Sequence, residues 1–240
     1  MKNNLALYIH IPFCKKKCNY CDFLSFSSNA STRELYIETL LKEMDLYKPL
    51  FKKKKISSLY FGGGTPSMLS AWELDKLLQG VFARVEPEGE LDFEMNPDDV
   101  TPEILKILQN YGDFRISLGV QSFDNNLLKL FGRNHGVKEI FASIDMIRRL
   151  GFDNLSLDLI YAIEERFTMA DNLTAVGQVL PEHLSCYALE LHPKRPLARL
   201  IKEPSDELYL RDWSRLKEGL KSLGYQRYEI SSFARQKKTG

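Results

Sequence analysis

Short apolar runs alternate with longer amphipathic runs along this 240-residue chain. Short runs rich in branched and aromatic side chains predict buried strands, and apolar residues spaced three or four apart predict helices. Strands are predicted at 5–11, 56–61, 91–95, 114–120, 154–161 and 183–191. Helices are predicted to begin near 31, capped by Ser31 or Thr32, and near 102, and to cover about 70–84, 125–131, 137–150, 169–180 and 205–223.

Six successive βα units indicate an α/β fold, because βαβ crossovers keep strands parallel and helices outside. Six units are fewer than the eight of a closed barrel, so we expect an open, partial (β/α)6 barrel with parallel strands and outer helices. Residues 1–224 form this predicted core, and 225–240 form a short C-terminal extension.

The charge balance argues against nucleic acid as a partner, since 33 Lys and Arg face 32 Asp and Glu. The apolar stretch at 5–13 is interrupted by His10 and Pro12 and is too short to span a membrane. We therefore expect a cytoplasmic protein with no strong membrane signal. Lys52 to Lys55 are interpreted as a solvated connector, and Lys15 to Lys17 either as a solvated loop or as a positive patch for an acidic electron donor.

Polar and glycine residues follow the predicted strands. Three cysteines follow the first strand and Gly62 to Thr65 follow the second, while Glu94 and Asn96, Gln121, and Glu190 end the third, fourth and sixth strands. In parallel α/β folds the carboxyl ends of the strands form the ligand-binding face. We expect these residues to line one binding site.

Cys14, Cys18 and Cys21 have a CxxxCxxC spacing. Structural zinc normally takes four ligands in two separated pairs, whereas three thiolates on one loop suit three irons of a [4Fe–4S] cluster and leave the fourth iron open. The alternative is a loop of three structural thiols. Cys186 stands alone within a predicted strand and is interpreted as a small buried hydrophobic residue.

The glycine run at 62–64 allows close approach of the backbone to a ligand, or forms only a tight βα turn. It matches neither the phosphate-loop nor the dinucleotide pattern, so nucleotide binding of those kinds is not inferred.

Seven strings resemble, in order, those of the radical S-adenosylmethionine (SAM) superfamily, and more closely those of its oxygen-independent coproporphyrinogen III oxidase group. They are YIHIPFC at 8–14, YFGGGTPS at 60–67, EMNP at 94–97, SLGVQSF at 117–123, GRNH at 132–135, DLIY at 158–161 and YEIS at 228–231. The oxidases carry a further cysteine two positions beyond the third cluster ligand, where this chain has Phe23. In this respect the chain resembles the HemW branch, regarded as heme chaperones.

The resemblance implies cofactors and the residues that hold them. Cys14, Cys18 and Cys21 would bind the [4Fe–4S] cluster, Tyr8 would lie beside the cofactor, and Gly63, Gly64 and Thr65 would contact the methionine part of SAM. Glu94, Gln121, Arg133 and Asp158 would bind its polar groups. Structural alternatives are a cap for Glu94, a surface charge for Arg133 and a strand-end acid for Asp158. No catalytic residue is assigned beyond the cluster and SAM.

Two departures from the family's pattern limit what the resemblance implies. Residues 162–167 read AIEERF where the family often has GLPGQT, so we expect a different backbone path and altered substrate access. The family's His-Asn stretch and C-terminal domain have no counterpart, and His10, His135, His183 and His192 are interpreted as structural.

Three functions stay open at this point: a heme-trafficking protein with reductive SAM cleavage, a coproporphyrinogen-type oxidase, or a cluster- or heme-binding module without turnover. Heme or a porphyrinogen, and a reductant such as flavodoxin or ferredoxin, are the implied partners. Whether the chain is an enzyme, of radical SAM type, depends on which function holds.

Overall fold

The computed structural model describes residues 4–167 and 169–235, so 236–240 of the predicted C-terminal extension lie outside the described residues. The strands are β1 Asn4–Ile11, β2 Lys55–Gly63, β3 Pro87–Met95, β4 Phe114–Gln121, β5 Leu155–Tyr161, β6 His183–Ala188, β7 Tyr225–Arg227 and β8 Ser232–Arg235. The helices are α1 Ala30–Phe51, α2 Ala71–Phe82, α3 Pro102–Gln109, α4 Asn125–Leu130, α5 Val137–Arg149, α6 Ala170–Val179 and α7 Asp206–Ser222. Short 3₁₀ turns lie at Pro66–Met68, Pro97–Asp99 and Pro196–Arg199.

The predicted α/β class, with a mostly parallel, open sheet and helices, is confirmed. All six predicted strands are present, but the described part of the chain contains eight strands. The two additional strands, β7 and β8, are short and antiparallel. The prediction of six strands is wrong on this point because three- and four-residue strands carry too little alternation to be recognised.

The described residues divide into two compact units, which share β4 and α5. Among the described residues, the first unit holds 4–17, 23–116 and 146–152, and the second holds 18–22, 117–145, 153–167 and 169–235. The division of the chain into 1–224 and 225–240 stays a prediction.

In the first unit, β1, β2 and β3 are parallel neighbours, and β4 begins beside them. Ile11 pairs with Gly63, so β1 and β2 end at the same level. Asn29, and not Ser31 or Thr32, caps α1 by accepting a hydrogen bond from the Thr32 amide at 2.9 Å. The predicted cap is wrong because α1 already begins at Ala30, which leaves Ser31 and Thr32 in its first turn.

In the second unit, the strands follow the order β4-β5-β6-β8-β7. β5 and β6 are parallel, and Asp158 lies opposite Ser185. The core of this unit includes Phe131, Ile160 and Leu197. β6 ends at Ala188, so Glu190, expected at a strand end, lies in the following loop.

Candidate functional site

The three clustered cysteines follow β1 in one loop, with Cys14 in the first unit and Cys18 and Cys21 in the second. None of the three forms a disulfide, and all three are partly exposed to solvent. Three accessible sulfur donors that form no disulfide are the donor set that an iron–sulfur cluster requires. Within 4–167 and 169–235, no three His, Cys, Asp or Glu side chains are placed to hold a single metal ion.

In the first unit, Cys14 contacts Thr65, a residue expected to contact the methionine part of SAM. The Cys14 Sγ lies 3.4 Å from the Thr65 Oγ1, which also accepts a hydrogen bond from the Asn96 Nδ2 at 3.2 Å. The Cys14 amide donates to the Phe26 carbonyl at 3.1 Å. Thr65 therefore positions Cys14, one of the three predicted cluster ligands.

A chain of polar contacts that spacing alone did not predict supports this arrangement. The Asn96 amide donates to the Ser67 Oγ at 3.2 Å, and Ser67 donates to the buried Asp99 carboxylate at 3.3 Å. Asp99 forms an ion pair with Lys15, the residue after Cys14. Lys15 is therefore tied to Asp99, although its side chain stays 55% exposed.

The glycines after β2 are required by the protein's own packing. Gly63 has φ +119°, and a Cβ there would lie 2.6 Å from the His10 ring. A Cβ on Gly64 would lie 2.6 Å from the Phe13 carbonyl oxygen. The Gly64 amide donates to the Ile11 carbonyl at 2.8 Å. The run brings the β2 loop against the start of the cysteine loop. Contact of Gly63 and Gly64 with a ligand stays a prediction.

Glu94 lies near the end of β3 and accepts two hydrogen bonds within the first unit. The Tyr60 hydroxyl donates to the Oε1 at 2.8 Å and the Gly63 amide donates to the Oε2 at 3.0 Å. Burial raises the pKa of the Glu94 carboxyl. Glu94 is therefore no helix cap, and its oriented carboxylate retains lone pairs for an amine or hydroxyl donor.

Tyr8 stacks on Tyr60, with ring centroids 5.4 Å apart. Its side chain is half exposed, and burial, with a smaller contribution from Glu94, raises its pKa to about 12. Tyr8 thus presents a neutral hydroxyl and an aromatic face at the predicted position.

His10 supplies an independent indication of a polar ligand in the first unit. Its Nε2 is buried and has no hydrogen-bond partner among the described residues. Buried polar groups are rarely left without a partner, so an unmet donor or acceptor beside Gly63 and Tyr8 fits a polar ligand there.

In the second unit, Arg133 contacts Cys18. Its Nη1 donates to the Cys18 Sγ at 3.4 Å, and its Nη2 donates to the Gly119 carbonyl at 2.6 Å. Its alternative reading as a surface charge is therefore wrong. A guanidinium held between a strand carbonyl and a sulfur places positive charge beside the expected cluster, where it favours an anionic ligand.

Asn19 lies between Cys18 and Tyr20 and anchors this part of the cysteine loop in the second unit. Its amide donates to the Phe131 carbonyl at 2.9 Å and its side chain donates to the Leu130 carbonyl at 2.8 Å. Its own carbonyl accepts from the Leu197 amide at 3.0 Å. The Tyr20 ring packs edge-on against Phe131 at 4.9 Å. Sequence reasoning missed this anchor because the partners are distant along the chain.

Gln121 and Asp158 are the remaining predicted cofactor residues, and both lie in the second unit. Gln121 ends β4 with φ +68°, a left-handed conformation that a non-glycine residue rarely adopts. Asp158 lies in the middle of β5 and accepts from the Ser117 Oγ at 3.3 Å, so it is no strand-end acid. Backbone strain at Gln121 is the kind found at ligand sites.

Cys186 and His183 were both predicted to have structural roles. Cys186 is buried, and burial raises the pKa of its thiol, which keeps it protonated. His183 contacts the Ser156 Oγ at 2.8 Å and the Tyr228 hydroxyl at 2.6 Å, as a structural residue would.

No helix in the part of the chain that the structure describes is long and apolar enough to cross a membrane.

The fold and the cysteine loop define a class of protein. Residues 8–166 match the radical SAM superfamily, and the chain belongs to it. Membership implies a [4Fe–4S] cluster and SAM. The three cysteines outside disulfides, the His10 Nε2 without a hydrogen-bond partner among the described residues and the oriented Glu94 fit these groups.

The chain is similar to proteins named heme chaperone HemW. It is 35% identical to that of Lactococcus lactis over 95% of this chain and 62% of the relative, and 33% identical to that of Bacillus subtilis over 96% and 63%. Among solved structures it resembles the coproporphyrinogen III oxidase HemN of Escherichia coli, a radical SAM enzyme, with a TM-score of 0.87 and 29% identity over 98% of this chain and 56% of that one. The chain thus spans less than two thirds of these relatives. The predicted superfamily is confirmed, and the HemW relatives agree with the predicted branch.

Proposed function

We propose that this chain is the cofactor-binding part of a heme-trafficking radical SAM protein. The observation that carries the proposal is the loop of three cysteines outside disulfides, in which Cys14 contacts Thr65 and Cys18 contacts Arg133. The similarity to HemW proteins over nearly the whole chain supports heme as the molecule handled. We place the protein in the cytoplasm, with heme or a porphyrinogen and a flavodoxin- or ferredoxin-type reductant as partners.

In this proposal Cys14, Cys18 and Cys21 hold the cluster. When bound, the cluster supplies the electron for reductive cleavage of SAM, and the protein orients the cofactors and excludes water. Thr65 orients the Cys14 side chain, and Arg133 offers positive charge next to Cys18. Asn19 keeps the second half of the loop in place through three backbone partners.

SAM would be bound by the remaining residues. Glu94 would accept from its ammonium or ribose hydroxyls, with Tyr8 alongside and the backbone of Gly63 and Gly64 facing its methionine part. Gln121, Arg133 and Asp158 would take other polar groups, since an amide can both donate and accept and a guanidinium can bind a carboxylate through two parallel bonds.

Anaerobic reconstitution with iron and sulfide tests the cluster. Wild-type protein should acquire the broad visible absorbance of an iron–sulfur cluster and bind iron and sulfide in equal amounts. The variants Cys14→Ala, Cys18→Ala and Cys21→Ala should lose it, whereas Cys186→Ala, the matched control, should keep it. Equal loss in Cys186→Ala, or full retention in Cys14→Ala, would overturn the ligand assignment.

Heme handling is tested separately by titrating the reconstituted protein with heme and following its visible spectrum. Saturable binding, and transfer to an apo-hemoprotein, are expected. The similarity to the HemN structure favours coproporphyrinogen oxidation as the second candidate. Decarboxylation of coproporphyrinogen III under anaerobic reducing conditions would establish that candidate in place of heme delivery, and we expect none because Phe23 stands where the oxidases carry a cysteine.

A further inference from the structure

The end of α1 exposes apolar side chains, of which Leu46 and Leu50 lie away from the face that packs into the protein and Tyr47 lies on the same side as Leu40. Ile37, Leu40 and Met44 are the buried residues of this helix. Leu46 is 79% exposed, and Tyr47 and Leu50 are exposed beside it. At 3.6 residues per turn Leu46 and Leu50 lie one turn apart, about half a turn around the axis from Ile37 and Met44. An exposed apolar cluster on a helix end indicates a contact with something outside the chain.

A concentration of lysine adjoins these residues. Residues 42–55 contain six lysines and two acids, Glu43 and Asp45, in a chain whose net charge is +1. Asp45 is already shared by Lys48 and Arg84. Lys52 and Lys53 are exposed and have no carboxylate partner within the described ranges. This segment therefore has a net charge of +4, against +1 for the whole chain.

We propose that the surface formed by Leu46, Tyr47, Leu50, Lys52 and Lys53 binds the anionic face of a lipid bilayer peripherally. Lysines next to exposed leucine and tyrosine match an interface in which phospholipid headgroups are negative and the acyl boundary is apolar. A nucleic acid would pair its phosphates with Lys52 and Lys53 but would leave Leu46 and Leu50 exposed to water. In this proposal Lys52 and Lys53 contact headgroups in addition to forming part of the predicted solvated connector.

The position of this basic–apolar surface leaves the cofactor residues free. Lys55 begins β2, whereas Gly63 ends it, and a nine-residue strand separates its ends by roughly 26 Å. Bilayer binding at the amino end of β2 leaves the carboxyl end of the same strand uncovered. The inference does not depend on the proposed heme function.

Vesicle co-sedimentation of the full chain tests this inference. Binding is expected to phosphatidylcholine vesicles containing roughly 30% phosphatidylglycerol, to fall as salt is raised, and to be absent with phosphatidylcholine alone. The double variant Lys52→Glu/Lys53→Glu should lower the partition coefficient by at least about tenfold. Leu46→Ser/Leu50→Ser should lower the binding that survives at high salt.

Matched controls lie on α7, where Lys217→Glu/Lys221→Glu makes the same charge change and Leu210→Ser removes an exposed leucine. Both should bind vesicles like wild type, and all variants should keep the wild-type circular dichroism spectrum and cluster content. Equal loss of binding in the α7 controls, equal binding to neutral vesicles, or binding of a short DNA duplex but not of anionic vesicles would overturn the proposal.

Discussion

Lys15 forms an ion pair with Asp99, which ties the residue after Cys14 to the turn that follows β3. The Asp99 side chain is 3% exposed, and its other oxygen accepts from Ser67. The same carboxylate thus holds both the cysteine loop and the loop after β2. A mobile loop would lose more conformational entropy on binding a cluster, so this ion pair would preorganise Cys14, the first of the predicted cluster ligands.

Replacing Asp99 by alanine should therefore destabilise the fold. We expect the free energy of unfolding in urea to fall by about 1.5–3 kcal/mol, the usual range for hydrogen bonds to a buried charged group. Lys16→Met, which replaces an exposed lysine next to Lys15, should change it by less than about 0.5 kcal/mol. Equal effects of the two substitutions would show that the ion pair does not stabilise the loop.

Arg133 should matter for retention of the cluster more than for folding. Arg133→Gln removes the charge beside Cys18, whereas Arg133→Lys keeps it but cannot span both the sulfur and the Gly119 carbonyl. We expect reconstituted Arg133→Gln to lose iron to a chelator several-fold faster than wild type, with Arg133→Lys between them. Identical release rates for all three proteins would remove Arg133 from the cluster environment.

The strands and the residues at their ends were largely predictable from the sequence, because buried strands followed by glycine or polar residues form a repeating local pattern. The predicted strand at 56–61 differs from β2 by one residue at its start and two at its end. β7 and β8 were missed because both are very short and because β8 pairs with β6, a segment distant along the chain, while β7 pairs only with β8.

Side-chain partners were not predictable to the same degree. The spacing indicated that Glu94 ends a strand, but its hydrogen bonds with Tyr60 and Gly63 depend on the register between β2 and β3. Asn19 was overlooked because its partners, Leu130, Phe131 and Leu197, lie more than a hundred residues away. The family resemblance supplied candidate residues such as Arg133, and only the structure showed which atoms they contact.

Asp92 should make stability depend on pH in the direction opposite to that of an exposed ion-paired acid. Burial, with a further contribution from Glu90 and against the attraction of Arg115, raises its pKa from 3.8 to about 6. The folded state therefore holds the proton more tightly than the unfolded state. The stabilisation is complete below pH 3.8 and is lost as the pH rises through about 6.

We expect the unfolding free energy of wild type, relative to Asp92→Asn, to fall by about 2–3 kcal/mol between those pH values. Urea unfolding of both proteins across the range measures the difference, and the comparison cancels the titration of other carboxylates. A difference that stays constant or grows with pH would show that the Arg115 ion pair outweighs burial.

Gln121 adopts φ +68° at the end of β4, where a side chain costs about 1–2 kcal/mol relative to glycine. Gln121→Gly should relieve this strain, and the greater freedom of glycine in the unfolded chain offsets about 0.4–1 kcal/mol of the gain. The net expectation is a rise of about 0.5–1 kcal/mol in the free energy of unfolding.

Gln79→Gly makes the same chemical change within α2, where the backbone is helical and the side chain is exposed. It should lower the unfolding free energy by about 1 kcal/mol. If Gln121 also binds SAM as proposed, Gln121→Gly should weaken SAM binding, measured by equilibrium dialysis, while stabilising the fold, and Gln79→Gly should leave SAM binding unchanged. A rise in the unfolding free energy for Gln121→Gly together with a fall for Gln79→Gly would identify backbone strain at Gln121. Loss of SAM affinity at Gln121 alone shows that the strain serves a ligand, because a residue kept in an unfavourable conformation at a binding site exchanges stability for function.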